Sequence, residues 1–457
     1  MMNDKMTTVA LQAYDRRHHL QPFTDYRQLH AKGARIITRA EGVYLWDSNG
    51  TRILDGMAGL WCVNVGYGRQ ELADVARRQM LDLPYYNSFF QTSHPPAIEL
   101  SRLLAEVTPA GLNHVFYTNS GSEANDTVVR MVRRYWDLQD KPTKKIIISR
   151  EHGYHGSTVA GASLCGMPHI HKQGDLPIPN IVHIEAPYWY FSGADLSPAE
   201  FGIKVAKALE IKINELGVDR VAAFIAEPIQ GAGGVIIPPD TYWPEIQRIC
   251  KQYDILLVVD EVICGFGRTG KWFGSDYFGL KPDLMPIAKG LSSGYVPIGG
   301  VMVGDRVADA LIDKGGEFQH GFTYSGHPTA CAVAAANIKI LRDEKIVENV
   351  ERETGPYLRK RWSELADHPL VGEARSAGFL GALELVKNKE NKQTFQPEGK
   401  TGVLCREFCF DNGLVMRAVR DAMIVSPPLI ITKSQIDELI SIARKCLDMT
   451  AAQLGVA

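Results

Sequence analysis

Ile255-Leu256-Leu257-Val258-Val259-Asp260-Glu261 is an unbroken apolar run that ends in two carboxylates. A strand with one wet face alternates apolar and polar residues. A continuous run of this length suits a strand covered on both faces, as in a parallel sheet. Three more runs of the same kind lie around it. Val221–Ala226 is followed by Glu227, Ile146–Ser149 by the loop His152 to Gly156, and Leu284–Ala288 by Lys289. Upstream, Val115–Thr118 leads into Asn119-Ser120-Gly121-Ser122. Helical spacing fills the intervals; Ala124, Val128, Met131, Val132 and Tyr135 step by threes and fours onto one face. Strands alternating with amphipathic helices from about residue 70 to 337 predict a doubly wound α/β sheet. Such sheets bind ligands beyond the carboxyl ends of their strands. Five polar ends or loops therefore converge on one edge.

The flanking segments read differently. The first seventy residues hold strand-like runs at Arg35–Thr38 and Val43–Trp46, and Asp47-Ser48-Asn49-Gly50 reads as a hairpin turn. The stretch from 338 to 457 mixes helices with a few strands. The expected division is 1–70 and 338–457 as the two parts of a small α+β domain, built from both chain ends, with 71–337 as the large domain.

Across 457 residues, 45% are hydrophobic and 22% charged, with a formal net charge of -2. That is the balance of a globular chain. No basic block points to nucleic acid or a membrane surface, and no apolar run is long enough to span a bilayer. Residues 1–20 lack the apolar core of a secretory signal. The eight cysteines are scattered, with Cys405 and Cys409 four apart near an expected helix. Reduced thiols in a cytoplasmic protein are the expectation.

Three positions carry chemistry. Ser120-Gly121-Ser122 before a helix offers unpaired N–H groups to an anion, although Ser122 could equally be a plain N-cap. Asp260 ends an apolar strand, where an unpaired carboxylate would cost several kcal/mol, about the usual penalty for a buried charge. Its partner is either an arginine or backbone amides, or the pyridinium nitrogen of a cofactor. Lys289 either snorkels to solvent or sits in a dry pocket, where its amine loses its proton and becomes a nucleophile.

Three motifs mislead. Gly265 to Gly270 matches Gly-x-Gly-x-x-Gly, but Lys271-Trp272-Phe273 does not open the helix a nicotinamide site needs. Gly290 to Gly294 matches Gly-x-Ser-x-Gly, but Tyr295-Val296-Pro297 cannot start the helix of a nucleophile elbow. His152 and His155 have no third ligand nearby, so no metal is expected.

Taken together, Thr118 to Ala124, Gly153-Tyr154-His155-Gly156, Glu227 to Gly231, Asp260 to Gly270, Ala288-Lys289-Gly290, Phe322 to His327 and Arg417 resemble the class III (ω-) aminotransferases. The resemblance runs in the family's order from about His18 to the C-terminus. His18 to Asp25 and Met57 to Gly66 are similar to the putrescine–pyruvate group within it.

The resemblance implies the type I fold of pyridoxal-phosphate (PLP) enzymes. The reaction it implies is transfer of an amino group from a primary amine or diamine to pyruvate, giving an aldehyde and alanine. An ω-amino acid or aromatic amine donor is the alternative, and an aminomutase or decarboxylase is a rival on the same fold. It further implies that Lys289 carries the cofactor and shuttles the proton, and that Asp260 holds the pyridine nitrogen. Val262 and Tyr154 would flank the ring, with His155 and Glu227 supporting the site and Gly121 and Ser122 holding the phosphate. Thr323 would reach the phosphate of a second subunit, in a homodimer or a tetramer of dimers. Phe23, Trp61, Phe89 and Ala232 would wall the substrate pocket, and Arg417 would grip a carboxylate. Relatives that use 2-oxoglutarate usually have Glu where this chain has Ala232 and tend to have Arg where it has Ser157. That favours monocarboxylate acceptors and uncharged or apolar amine tails.

Overall fold

The computed structural model describes residues 6–456; Met1 to Lys5 and Ala457, which fall within the expected small domain, lie outside the described residues. Its centre is a seven-stranded sheet. In spatial order the strands are His114–Thr118, Gly299–Val303, Leu284–Ile287, Leu256–Val259, Val221–Ala226, Ile146–Arg150 and Ile181–Ile184. The pairs from Leu284–Ile287 through to Ile181–Ile184 are parallel; Gly299–Val303 runs antiparallel to both its neighbours.

Each apolar run is a strand because it buries both its faces. Ile147, Ala223, Ile225, Leu256 and Val258 pack on one side against Ala124, Val128, Met131, Val132 and Tyr135 of the helix Gly121–Leu138. Ile148, Phe224, Ala226, Leu257 and Val259 face the other side, against the helices Pro198–Leu216 and Tyr242–Gln252. Successive residues of one strand thus feed two separate cores, which a continuous apolar run permits and an alternating one does not.

The helix Gly121–Leu138 starts differently from the expectation. Ser120, not Ser122, is its N-cap, accepting a hydrogen bond from the N–H of Glu123. Glu123 reaches back, its carboxylate accepting from the backbone and side-chain N–H groups of Asn119. Ser122 instead lines a cavity from the first turn, its Oγ accepting from the N–H of Ser157 at 3.0 Å. A cap of this type stabilises a helix by about 1 kcal/mol.

Two smaller sheets flank the large one. Ile37–Glu41, Tyr44–Asp47 and Arg52–Asp55 form an antiparallel meander, which Leu414–Val415 joins by pairing in parallel with Arg52–Asp55. The turn between Tyr44–Asp47 and Arg52–Asp55 closes as expected, with the N–H of Gly50 donating to the carbonyl of Asp47. Val371–Ala377, Leu380–Leu385, Ala422–Val425 and Arg417–Val419 make the third sheet. The N-terminal region also holds two helices that short strand-like patterns did not suggest, Thr8–His18 and Tyr26–Lys32. Neither buries a residue, so neither leaves the apolar stripe that sequence reading depends on. Among the described residues, no helix is long and apolar enough to cross a membrane.

Candidate active site

A cavity of about 820 Å³ opens at the carboxyl ends of the parallel strands. Its lining includes Ser120, Gly121 and Ser122, Tyr154 and His155, Glu227, Asp260, Val262 and Lys289, so all five strand ends contribute. Trp61, Ala232 and Arg417 line it from outside the large sheet's strands.

Asp260 follows Val259 directly, and its own N–H is fixed by the carbonyl of Ala226 on the neighbouring strand. Its carboxylate is buried and surrounded by N–H groups. Oδ2 accepts from Nδ2 of Asn125 at 2.8 Å and lies 2.7 Å from Nδ1 of His155, while Oδ1 accepts from the N–H of Val262 at 3.1 Å. No arginine pairs with it among the described residues; of the structural partners expected, the backbone N–H of Val262 is present. His155 thus stands behind Asp260 and orients it. Glu227, fully buried, accepts from the N–H groups of Tyr154 at 3.0 Å and Gly231 at 2.9 Å. Desolvation raises the pKa of this carboxyl group. Glu227 ties together the two loops that carry Tyr154 and Ala232.

Lys289 leaves the strand Leu284–Ile287 through Ala288 and adopts a left-handed backbone, φ 48°. Its amine faces the cavity rather than snorkelling to bulk solvent. Burial lowers the amine from its usual 10.5 to about 8, against the opposing pull of Asp260 and Glu227. It lies 5.2 Å from the ring centroid of Trp61, and the Arg417 guanidinium lies 4.9 Å from the same centroid. Trp61 is itself buried at φ 58°, in a segment where Ala58 and Gly59 also have positive φ. Asp55 holds that segment, accepting from the N–H of Met57 and Gly59 and from the hydroxyl of Tyr67. Strained backbone of this kind persists only where surrounding contacts impose it, and it gathers at functional sites.

Arg417 begins the strand Arg417–Val419 and points its guanidinium into the cavity, so it is not a surface arginine. Among the described residues it pairs with no carboxylate, and desolvation lowers its pKa. A half-buried guanidinium that faces a cavity without a partner is a waiting carboxylate site.

Three expected positions lie at or beyond the cavity's edge, Thr323 among them as its role toward a second subunit requires. Phe23 reaches the cavity's rim but is 78% exposed, so it lines the mouth and not a closed wall. Phe89 does not line this chain's cavity. It packs beside Gly321, next to the exposed Thr323, and Tyr85 Oη donates to the Thr323 carbonyl at 2.8 Å. Phe89 and Thr323 thus form one group outside the cavity that Lys289 occupies.

The misleading motifs are structural. Gly265 to Gly270 is a tight turn with Gly267 and Gly270 at positive φ, and the buried Arg268 binds Asn64 and the carbonyl of Pro427. Lys289–Leu291 is a single 3-10 turn, and no helix follows Gly294. Among the described residues, no group of three or more His, Cys, Asp or Glu is placed to hold a metal.

Sequence reasoning missed Asn125 and Arg406. Asn125 lies inside the helix and is buried; Nδ2 also donates to the carbonyl of His155, while Oδ1 has no partner. Its signal was a polar residue beside the core stripe. Arg406 lines the outer cavity from the helix Lys400–Asp411 and is paired with Glu407.

These residues fit PLP. The N–H groups of Gly121 and Ser122 sit in the first helical turn, where no intrahelical acceptor exists. A Cβ at Gly121 would come within 2.9 Å of Val262, so the glycine brings the helix start and the valine into contact. Beyond them lie an aspartate held by N–H donors and an amine whose proton burial loosens.

The class III aminotransferase family model matches residues 27–447. The chain is 66% identical over 454 residues to the putrescine–pyruvate aminotransferase of Pseudomonas aeruginosa, covering 99% of each. It is 43% identical over 436 residues to a mitochondrial γ-aminobutyrate transaminase of Solanum lycopersicum, covering 94% of this chain and 84% of that one. Among solved structures, the ω-transaminase of Pseudomonas jessenii in complex with PMP superposes with a TM-score of 0.95 at 43% identity, over 97% of this chain and 99% of that one.

Proposed function

The chain belongs to the class III aminotransferases, and on that premise we propose that it transfers the amino group of a primary amine or diamine of the putrescine kind to pyruvate. The single observation that carries the acceptor half is Arg417, an unpaired guanidinium over Trp61 in the cavity of Lys289. Ala232 supplies no carboxylate to neutralise it, and Ser157 is engaged with the Tyr154 hydroxyl at 3.0 Å. One free arginine suits one carboxylate, and a second buried charge would go unpaired.

PLP is the cofactor of this family; bound here, its protonated pyridine ring would draw electrons from the amine-bearing carbon of the substrate. Gly121 and Ser122 would hold its phosphate, Asp260 its ring nitrogen, Val262 and Tyr154 the two faces of the ring, and Lys289 its aldehyde carbon. Asp260, its carboxylate oriented by Asn125, His155 and the N–H of Val262, would keep a proton on that nitrogen. Nζ of Lys289, uncharged above about pH 8, takes the proton from the substrate carbon and returns it on the other side of the transfer. Trp61 and Tyr154 keep water from the reacting atoms. Arg417 binds the keto-acid carboxylate, and its long side chain moves aside for an amine tail.

Thr323 and Phe89 act in the site of a second copy of the chain, so the working unit is a homodimer, alone or in a tetramer of dimers. Their position outside this chain's cavity supports that reading, as does the neighbouring exposed apolar surface of Tyr85, Tyr86, Phe90 and Tyr324. The compartment is the cytoplasm, where eight unpaired cysteines stay reduced.

The test is a donor panel of putrescine, cadaverine, β-alanine and an aromatic amine, each with pyruvate or 2-oxoglutarate, read as alanine or glutamate formed. Putrescine with pyruvate should lead. A better rate with 2-oxoglutarate would refute the acceptor assignment, and a better rate with β-alanine or the aromatic amine would move the donor to the ω-amino acid or aromatic class.

A further inference from the structure

Arg417 sits in a two-stranded hairpin, Arg417–Val419 paired antiparallel with Ala422–Val425, whose tip is Arg420-Asp421. Both tip residues point away from the cavity and both are anchored. Asp421 is buried, and its carboxylate accepts from the N–H groups of Gly399 at 3.0 Å and Gly402 at 2.8 Å, at the start of the helix that carries Arg406. Arg420, at φ 53°, turns the other way. Its Nη2 donates to the Gly233 carbonyl at 3.0 Å, and its Nη1 lies 3.3 Å from Nδ1 of His152. Burial and Arg420 hold His152 down at about 4, so near neutral pH its ring is uncharged and can accept that N–H.

The loop that receives Arg420 is the one that carries Ala232 into the cavity. The next two carbonyls, Gly234 and Val235, are taken by Arg375 at 2.6 and 2.9 Å. Arg375 is locked by Glu384 and Glu373 in the buried sheet beside the hairpin. Val235 is a β-branched residue at φ 52°, a conformation that needs such holding. Three successive carbonyls of one loop thus face two arginines of the third sheet. At its near end, Gly231 donates to Glu227. The Ala232 wall and the Arg417 hairpin are therefore held relative to each other by Arg375 and, directly at the hairpin tip, by Arg420, which itself does not line the cavity.

We propose that Arg420 is the positioning residue that sets Arg417 over the Ala232 wall, so that keto-acid recognition depends on a side chain outside the cavity. The inference rests on the reading of Arg417 as the carboxylate-binding group. Among the described residues Arg417 makes no hydrogen bond or salt bridge; its guanidinium lies 4.9 Å from the Trp61 ring centroid. Its placement is inherited from the backbone, and the backbone is pinned at the tip. Losing Arg420 leaves Arg375 and the sheet pairing in place, so the hairpin tip shifts against the Ala232 loop without coming apart, which weakens carboxylate binding without removing the base or the cofactor anchors.

Arg420→Met keeps length and removes the donors. It should raise the KM for pyruvate about tenfold, with kcat at saturating pyruvate within about threefold, the scale of one lost charge-assisted hydrogen bond. Arg420→Lys, which can still reach the Gly233 carbonyl, should recover most of that loss. In the apoprotein, amide exchange of residues 231–236 and 417–424 should quicken in Arg420→Met and stay slow in Arg417→Ala. Should Arg420→Met fail to fold, Arg420→Gln, too short to keep both contacts, and Asp421→Asn weaken the two anchors separately and carry the same comparison. An unchanged pyruvate KM in Arg420→Met beside a raised one in Arg417→Ala overturns this inference and leaves the acceptor reading standing. An unchanged KM in Arg417→Ala overturns that reading and this inference with it.

Discussion

Raising the pH of the apoprotein should switch on cofactor capture with a midpoint set by Lys289. Only the free amine can attack an aldehyde. With the amine at about 8, its free fraction is about one-tenth at pH 7, half at pH 8 and nine-tenths at pH 9. An ordinary lysine at 10.5 would be free to about three parts in a hundred at pH 9 and would still be gaining tenfold per pH unit. The rate of PLP capture, followed by visible absorbance after stopped-flow mixing, should rise about tenfold from pH 7 to pH 9 and then level.

The same burial predicts a stability signature without any cofactor. The unfolded chain keeps the proton on Lys289 up to about 10.5, while the folded chain releases it at about 8. Between those values folding releases a proton, so stability grows with pH; below 8 the whole burial cost of roughly 3 kcal/mol is present. Lys289→Met apoprotein should therefore unfold at higher denaturant than wild-type apoprotein at pH 7, with the gap narrowing toward pH 10. A capture rate that still climbs about eightfold from pH 9 to pH 10, with no stability gap, would refute the dry-pocket reading of Lys289.

Other expectations follow from single contacts. Asp260→Asn should fold but slow the half-reaction with excess amine by orders of magnitude, since an amide cannot keep the ring nitrogen protonated; a rate within a few-fold of wild type would make Asp260 a structural residue. Mixing Lys289→Ala chains with Thr323→Ala chains should restore one intact site in each verified heterodimer, and no recovery would mean that Thr323 does not serve a neighbour. Tyr67→Phe should lower stability by about 1–2 kcal/mol in urea unfolding, because it takes one donor from the buried Asp55 carboxylate; no loss would mean that Asp55 does not rely on Tyr67.

Much of the cofactor side was legible in the sequence because it is local. A buried strand and the residue that ends it are neighbours in the chain, so Asp260, Glu227 and Lys289 could be placed from apolar runs alone. What escaped is what the fold brings together from afar. Asn125 meets Asp260 across 135 positions, and nothing in its helix spacing announces the partner. Arg406 faces the cavity only because its helix packs under the Arg417 hairpin. The helices Thr8–His18 and Tyr26–Lys32 went unread because neither buries a side chain. Composition alone does not separate Ser120 from Ser122 as the cap; Ser120 takes it because its Oγ accepts from the N–H of Glu123, whose carboxylate reaches back to Asn119.

The parallel pairing of Leu414–Val415 with Arg52–Asp55 also orders events in time. A ribosome delivers the chain from its amino end. Every residue from Ser120 to Lys289 that gathers at the strand ends is translated before Arg417 exists. Trp61 emerges early and must wait for a partner more than three hundred positions downstream. Closing so long a loop costs little more than closing a short one, since the entropy grows only with the logarithm of length, but it cannot begin before synthesis reaches the second strand. Nascent chains stalled short of residue 414 hold the lysine and its acidic neighbours and lack the arginine that would admit a keto acid.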